Sequence, residues 1–171
     1  MADRLQYLVL ADSVLLLEGP TGLSVVTDDR EAQVGQKYRD RMDALASGSS
    51  AHREAHRECV ETLRSFRNGA GGFWVASVDS AVADEAIIGE QPLSELDAAV
   101  LLSDGASRLV DRFGQESWSD LVHLARHEGP DAVIDEVRQL ETSDPEGTRW
   151  PRGKAYDDAT VAVITVLGGA C

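Results

Sequence analysis

A chain of 171 residues with 43% hydrophobic content has the size of one domain with a sizeable core, since folding at this length buries roughly two thirds of the unfolded surface. Lys and Arg number 16 against 30 Asp and Glu, and the formal charge of −14 repels phosphate backbones and anionic lipid, so neither nucleic acid nor a membrane is an expected partner. Basic proteins, and cations held where carboxylates converge, stay open as partners.

With only Cys59 and Cys171 and no CxxC pair, neither a disulfide framework nor a tetrahedral zinc site is expected, and a reducing cytoplasm is the simplest setting. The opening MADRLQYLVLADS has an apolar run too short and interrupted for a span, and it lacks a signal peptide's charged start and cleavage site.

The first strands announce themselves early. Apolar runs at 4–10 (RLQYLVL), 14–18 (VLLLE) and 23–26 (LSVV), separated by Ala11-Asp12-Ser13 and by GPTG, read as a three-stranded antiparallel meander. The first two are apolar on both faces and belong in the middle of the fold. From Asp28 to Asn68 the chain turns charged and Ala-rich, with a break at Gly48-Ser49-Ser50, which predicts helices over 31–46 and 51–66, a helical insertion between strands. Ala55, Cys59, Leu63 and Phe66 form the second helix's apolar stripe.

Strand is expected again at 72–78 (GFWVASV), followed by a mixed connection over 81–97. LDAAVLLSDGASRLVDRFG at 96–114 reads as strand, turn and helix, with further helices at 117–127 and 130–141. A polar loop over 142–153 then leads to a last strand at about 159–167. Strands at the two ends with helices between them indicate an α+β fold with a mostly antiparallel sheet.

Three aspartates occupy strand ends: Asp12 after the first strand, Asp104 after AVLL, and Asp157 before TVAVITV. Carboxylates meeting on one rim repel unless a cation joins them, and an oxygen-only donor set favours Mg²⁺ or Mn²⁺. An Asp at a strand end is also a common turn former, and Ser103-Asp104-Gly105 also reads as a helix cap, so spacing leaves both readings open. Gly105 allows a sharp turn and close approach of a ligand. The pairs His52/His56 and His123/His127 have the i,i+4 spacing of metal ligands but read as solvated helical residues, Cys59 as core, and Arg108 and Arg112 as solvated. Trp150 reads as the anchor of its loop, with Arg152 and Lys154 near enough to the Asp pair to touch a phosphorylated ligand.

The order of three segments carries a resemblance. LVLADSVLLLEGPTGLSVVTDD resembles the Gly-Asp-Ser strand-turn-strand of the metal-dependent 2C-type Ser/Thr protein phosphatases, AVLLSDGASRLVDRFG their SDG strand and helix, and KAYDDATVAVI their closing DN-x-T-V-x-V strand. The resemblance implies an αββα sandwich of two antiparallel sheets flanked by helices, with a dinuclear Mn²⁺/Mg²⁺ site in the cleft. Asp104 and Asp157 would be direct metal ligands and catalytic residues, and Asp12 the ligand of a weaker third ion. The ions would activate a water to attack phosphoserine or phosphothreonine. Asp158 stands where the family has Asn and would serve structure.

Several features depart from the family. Its N-terminal section, with a phosphate-contacting Arg and the DG-x-GG motif whose Asp bridges both metals, has no counterpart in residues 1–171; Ala11 replaces the usual Gly and Val14 the usual Arg. A single phosphatase-like domain incomplete at its N-terminus is therefore expected, with an apolar sheet face and an open edge that a second copy or a separate N-terminal piece would cover. Hydrolysis of a phosphoprotein substrate is one expected function. A pseudophosphatase that binds a phosphoprotein or regulatory protein is the alternative, and an unrelated α+β protein with turn-forming aspartates is the third.

Overall fold

The computed structural model describes residues 3–166. In chain order, β1 (Arg4–Val9), β2 (Val14–Gly19) and β3 (Gly22–Thr27) precede α1 (Arg30–Asp43) and α2 (Ser50–Phe66). After a 3₁₀ turn at Ser80–Glu85 come β4 (Ile87–Pro92), β5 (Ala98–Leu102), α3 (Asp104–Asp111), α4 (Trp118–His127), α5 (Pro130–Ser143) and β6 (Val161–Thr165). Every strand pair is antiparallel, in a four-stranded sheet of order β3-β2-β5-β6 and a two-stranded sheet of β1 and β4.

The continuous apolar runs of β2 and β5 follow from burial on both faces, with successive side chains alternating between two cores. Val14, Leu16, Val100 and Leu102 point to the core under α3, α4 and α5, beside Leu109, Leu121, Val122, Val133 and Val137. Leu15, Leu17 and Ala99 point the other way, against Val9, Leu5, Tyr7 and Ile87 of the small sheet. The structure is thus an α+β sandwich of two antiparallel sheets with helices on the outer face of the larger one. The outer face of the smaller sheet is open among the described residues, where Leu8 is 53% and Ile88 72% exposed.

Three strand expectations need correction. β1 is not part of a meander with β2 and β3; it leaves their sheet and pairs with β4. The turn between β1 and β2 is no hairpin: Ala11 adopts φ +54° and its carbonyl accepts from the Asp28 N–H at 3.2 Å, which sends the chain across to the other sheet. β4 itself lies inside the expected mixed connection, because IIGEQP carries a weak strand pattern and owes its form to pairing. Gly89 sits opposite Tyr7, whose ring lies where a Cβ would be. Residues 72–78 do not form a strand. The chain curls on itself there, with a lone bridge between Arg67 and Phe73 and the Asn68 side chain accepting from the Val75 N–H at 2.8 Å. β6 begins at Val161 rather than 159, and the expected end at 167 lies outside the described residues, as does Cys171.

The helices follow their sequence signals more closely. The Ser49 hydroxyl caps α2 by accepting from the His52 N–H, and Ser117 and Asp120 form a reciprocal capping box on α4. In α2, Ala55 and Cys59 are buried as expected, while Phe66 is exposed and His52, expected in solvent, is buried. Arg112 is also not simply solvated: it donates to Asp43 at 2.8 Å and to the Pro151 carbonyl at 2.9 Å, joining α3 to α1 and to the loop after α5.

That loop is held by two buried groups. Trp150 is buried edge-on against Phe113, with ring centroids 5.1 Å apart, and its indole N–H donates to the Phe113 carbonyl at 3.0 Å. Asp144 accepts from the N–H groups of Thr148, Arg149 and Trp150 and from Arg152. Desolvation raises the Asp144 pKa, but these donors outweigh it and hold the carboxyl at about 2. No helix among the described residues is long and apolar enough to cross a membrane.

Replacing Trp150 with Ala should cost about 3–5 kcal/mol, the usual loss for a buried aromatic, measurable by urea denaturation. Because the folded pKa of Asp144 lies below its ordinary value of 3.8, its stabilisation is present above pH 4 and lost as pH falls toward 2. Asp144→Asn should therefore flatten the acid limb of a stability-against-pH curve in that window.

Candidate functional site

One end of the sandwich gathers all three strand-end aspartates. Asp12 lies in the turn between β1 and β2, Asp104 opens α3 after β5, and Asp157 precedes β6. The β5–α3 joint is locked to the chain before β6 by backbone. Ser103 N–H donates to the Thr160 carbonyl at 3.1 Å, and its hydroxyl accepts from the Thr160 N–H at 3.0 Å and donates to the Asp158 carbonyl at 3.3 Å. A Cβ on Gly105 would stand 2.1 Å from that carbonyl oxygen. The close approach that Gly105 permits is thus of the Asp158 backbone, which corrects the expectation of a ligand there.

Asp157 and Asp158 part company at this joint. Asp158 is exposed and contributes only its backbone to the lock, its carbonyl accepting from Ser103 and its N–H donating to Asp157. Asp157 is largely covered, and both of its carboxylate oxygens are taken. Lys154 Nζ donates to Oδ1 at 2.7 Å, as does the Asp158 N–H at 3.1 Å, while the Arg108 guanidinium pairs with Oδ2. Desolvation works to raise the Asp157 pKa, but Lys154 and Arg108 outweigh it and hold the carboxyl below its ordinary range.

Arg108 is therefore not the solvated residue its helix position suggests. Its other terminal nitrogen donates at 2.8 Å to Glu141, which has no exposed surface, and Arg138 donates to the same carboxylate at 2.5 Å and to the Asp157 carbonyl at 2.6 Å. Sequence reasoning missed Glu141, Arg138 and Arg108 as a unit. One signal was available: Glu141 continues the i,i+4 series Val133, Val137 along the buried stripe of α5, where a lone carboxylate needs cationic partners.

Asp12 is in a different setting. It stands exposed at the rim, yet the surrounding protein desolvates its carboxylate, and Asp104 and then Glu31 of α1 repel it, raising its pKa to about 6. Arg39 offsets part of this, but its guanidinium is engaged by Glu31 at 3.0 Å. The helical insertion thus reaches the rim through Glu31 and Arg39.

The structure brings Asp12 and Asp104 into one field and places Asp157 in the Arg108–Lys154 ion pair. Among the described residues, no group of three or more His, Cys, Asp or Glu side chains is placed to hold a metal ion. Two mutually repelling carboxylates suit one hard cation; a dinuclear centre needs a larger shared set, and the donors present do not fit one. Arg152 is also unavailable to a ligand, being buried and spent on Asp144 and on the Glu141, Asp144 and Trp150 carbonyls. Lys154 remains exposed beside Asp157.

Next to this rim an apolar groove of about 760 Å³ opens between the sheets, running from Leu5 along β1 to Ser13 and floored by β5 and β6.

The sequence matches no protein-family model and no curated protein. Among solved structures, the chain is similar to the serine-threonine phosphatase 2C of Toxoplasma gondii, with a TM-score of 0.50 and 14% identity over 96% of this chain. It spans 55% of that protein's length. The likeness shows a 2C-type phosphatase-like fold.

Gly105→Ala should destabilise the chain by roughly 1–3 kcal/mol or more, because the rigid Asp158 backbone has to move, and urea denaturation measures it. For Asp12 the folded pKa lies above the ordinary 3.8, so its burden on stability is absent below pH 4 and complete above pH 6. Asp12→Asn should match the parent's thermal midpoint near pH 4 and exceed it at pH 7.5.

Proposed function

We propose that this chain is a cytoplasmic phosphatase-like domain that binds its partner without hydrolysing it, a pseudophosphatase for a phosphoprotein or regulatory protein. The observation that carries this reading is the double engagement of Asp157 by Arg108 and Lys154. Arg108, Arg138 and Lys154 compensate Asp157, the buried Glu141 and, through its effect on Lys154, Asp104. A cation approaching Asp157 would have to displace a guanidinium already paired in a largely dry setting, which costs several kcal/mol before any ion is bound. At Asp157 the cationic pair supplies the charge that a metal would otherwise bring. The exposed ammonium of Lys154 is the group best placed to meet a phosphoryl oxygen of a bound partner.

A second reading, metal-dependent hydrolysis of phosphoserine or phosphothreonine, is supported by the Asp12–Asp104 repulsion, which Mg²⁺ or Mn²⁺ would relieve. Such an ion would act as a Lewis acid and water activator, with Asp12 and Asp104 holding it. A complete centre would still need donors from outside the described residues.

Mn²⁺ titration by calorimetry, with p-nitrophenyl phosphate hydrolysis followed in the same samples, separates the two. The expected result is no turnover, with any Mn²⁺ uptake abolished by Asp104→Asn and unchanged by Asp157→Asn. Asp157→Asn should instead lower stability by roughly 1–3 kcal/mol, since it leaves Arg108 short of a partner. Turnover that disappears in both variants would overturn the pseudophosphatase reading.

A further inference from the structure

His52 is a buried polar group without a protein partner. It stands in the first turn of α2, where its backbone N–H donates to the Ser49 hydroxyl, and it is only 6% exposed. Its imidazole makes no hydrogen bond among the described residues. The sealed side-chain atom without a partner among those residues is Asp43 Oδ1, so the His52 nitrogens keep contact with the cavity of about 260 Å³ that the residue lines. A polar ring placed this way is costly unless water or a ligand completes its hydrogen bonds.

The cavity lies between the α1–α2 turn and the loop after α5, and its walls are fixed. One turn along the same face of α2, the His56 ring packs against Gly153, where a Cβ would stand 2.8 Å from it. Each N–H of the Arg152 guanidinium is spent on Asp144 or on backbone carbonyls, so this residue braces the wall and donates nothing further. A Cβ on Gly147 would stand 3.6 Å from Ser47 Oγ, where the two walls meet. Donors remain inside. The Ser47 hydroxyl makes no hydrogen bond among the described residues, and the exposed Arg53 gives one terminal nitrogen to the Gly48 carbonyl and keeps the other. The N-terminus of the 17-residue α2 adds its positive field. One carboxylate completes the lining: Glu146, exposed and in no ion pair among the described residues.

We infer that this cavity binds phosphate, as the free ion or as the phosphoryl group of a modified side chain. Arg53, Ser47 and the His52 ring N–H donate to its oxygens, and Glu146 accepts from its hydroxyl. Glu146 sets the choice among anions. Phosphate near neutral pH keeps a proton on a share of the ions and donates it to a carboxylate, whereas sulfate carries none and is only repelled. No aspartate of the rim lines the cavity, so the inference stands apart from what the rim does.

Calorimetry on the full chain at neutral pH tests this, with inorganic phosphate, sulfate and a phosphoserine peptide titrated in turn and the histidine ring signals followed by NMR. Phosphate is expected to bind saturably and roughly tenfold more tightly than sulfate, shifting the His52 ring signals and leaving those of His123 and His127 in place. Arg53→Ala should weaken phosphate by roughly tenfold, and Glu146→Gln should bring sulfate level with phosphate. Both residues are exposed, so neither variant threatens the fold. Tighter binding of the peptide makes a phosphorylated protein the source, and tighter binding of the ion makes it free phosphate; each supports the site. Sulfate equal to phosphate in the parent, phosphate affinity unchanged in Arg53→Ala, or His52 signals that stay in place while phosphate binds would overturn the inference. So would the absence of binding by both the ion and the peptide.

Discussion

A strand that is apolar on both faces must be covered twice, and the architecture follows from satisfying that demand for β2 and β5. Val14, Leu15, Leu16 and Leu17 are all buried, each contributing about 1.5–3 kcal/mol relative to exposure, so neither face can be left to water at small cost. Helices α3, α4 and α5 cover one face completely, with Leu109, Leu121, Val122, Val133 and Val137 at or near zero exposure. On the other face two strands cover what a wider sheet would, reaching β2 and part of β5 and stopping short of β6. The groove, the exposed Leu101 and Ile164, and the edge of β1 that no strand among the described residues pairs with are three views of that one shortfall.

The rim depends on a second interaction, the buried Glu141 carboxylate. Placed on the stripe that α5 turns to the core, it recruits Arg108 from α3 and Arg138 from its own helix, and each of these then reaches Asp157 or its backbone before β6. Three elements distant in sequence are joined by a carboxylate that would be very costly to bury alone. The consequence for function is that Asp157 is already neutralised. Asp12 and Asp104 are in no ion pair among the described residues and carry the repulsion that raises Asp12, so the two halves of the rim have opposite electrostatic needs although they derive from similar strand-end aspartates.

Much of the fold could be read from residue patterns. The β2–β3 hairpin, β5 with α3, and helices α1, α2, α4 and α5 rest on local signals: long apolar runs, helical periodicity, Ser49 and Ser117 as caps, Gly and Pro at the breaks. β1 was legible as a strand but not in its sheet, because strand pairing is decided by which neighbour is near in space, and the turn at Ala11 sends the chain out of the sheet it has just prepared to enter. β4 and the curl at 72–78 show the converse. IIGEQP has little intrinsic preference and becomes a strand by pairing with β1, while GFWVASV has strand-like residues but closes on Arg67 and Asn68 instead.

Within the site, sequence determined that Asp12, Asp104 and Asp157 would stand at strand ends and that Trp150 would anchor its loop, whereas the need for glycine at 105 comes from the Asp158 backbone, distant in sequence. Only the tertiary structure decided what those groups meet. Arg108 and Arg112 read as surface residues because a helix alone offers them water; packing α3 against α5, the loop after it and the end of α1 offers them Glu141, Asp157 and Asp43 in its place. A residue's type and spacing determine which interactions it can make, and long-range contact determines which of them it does make.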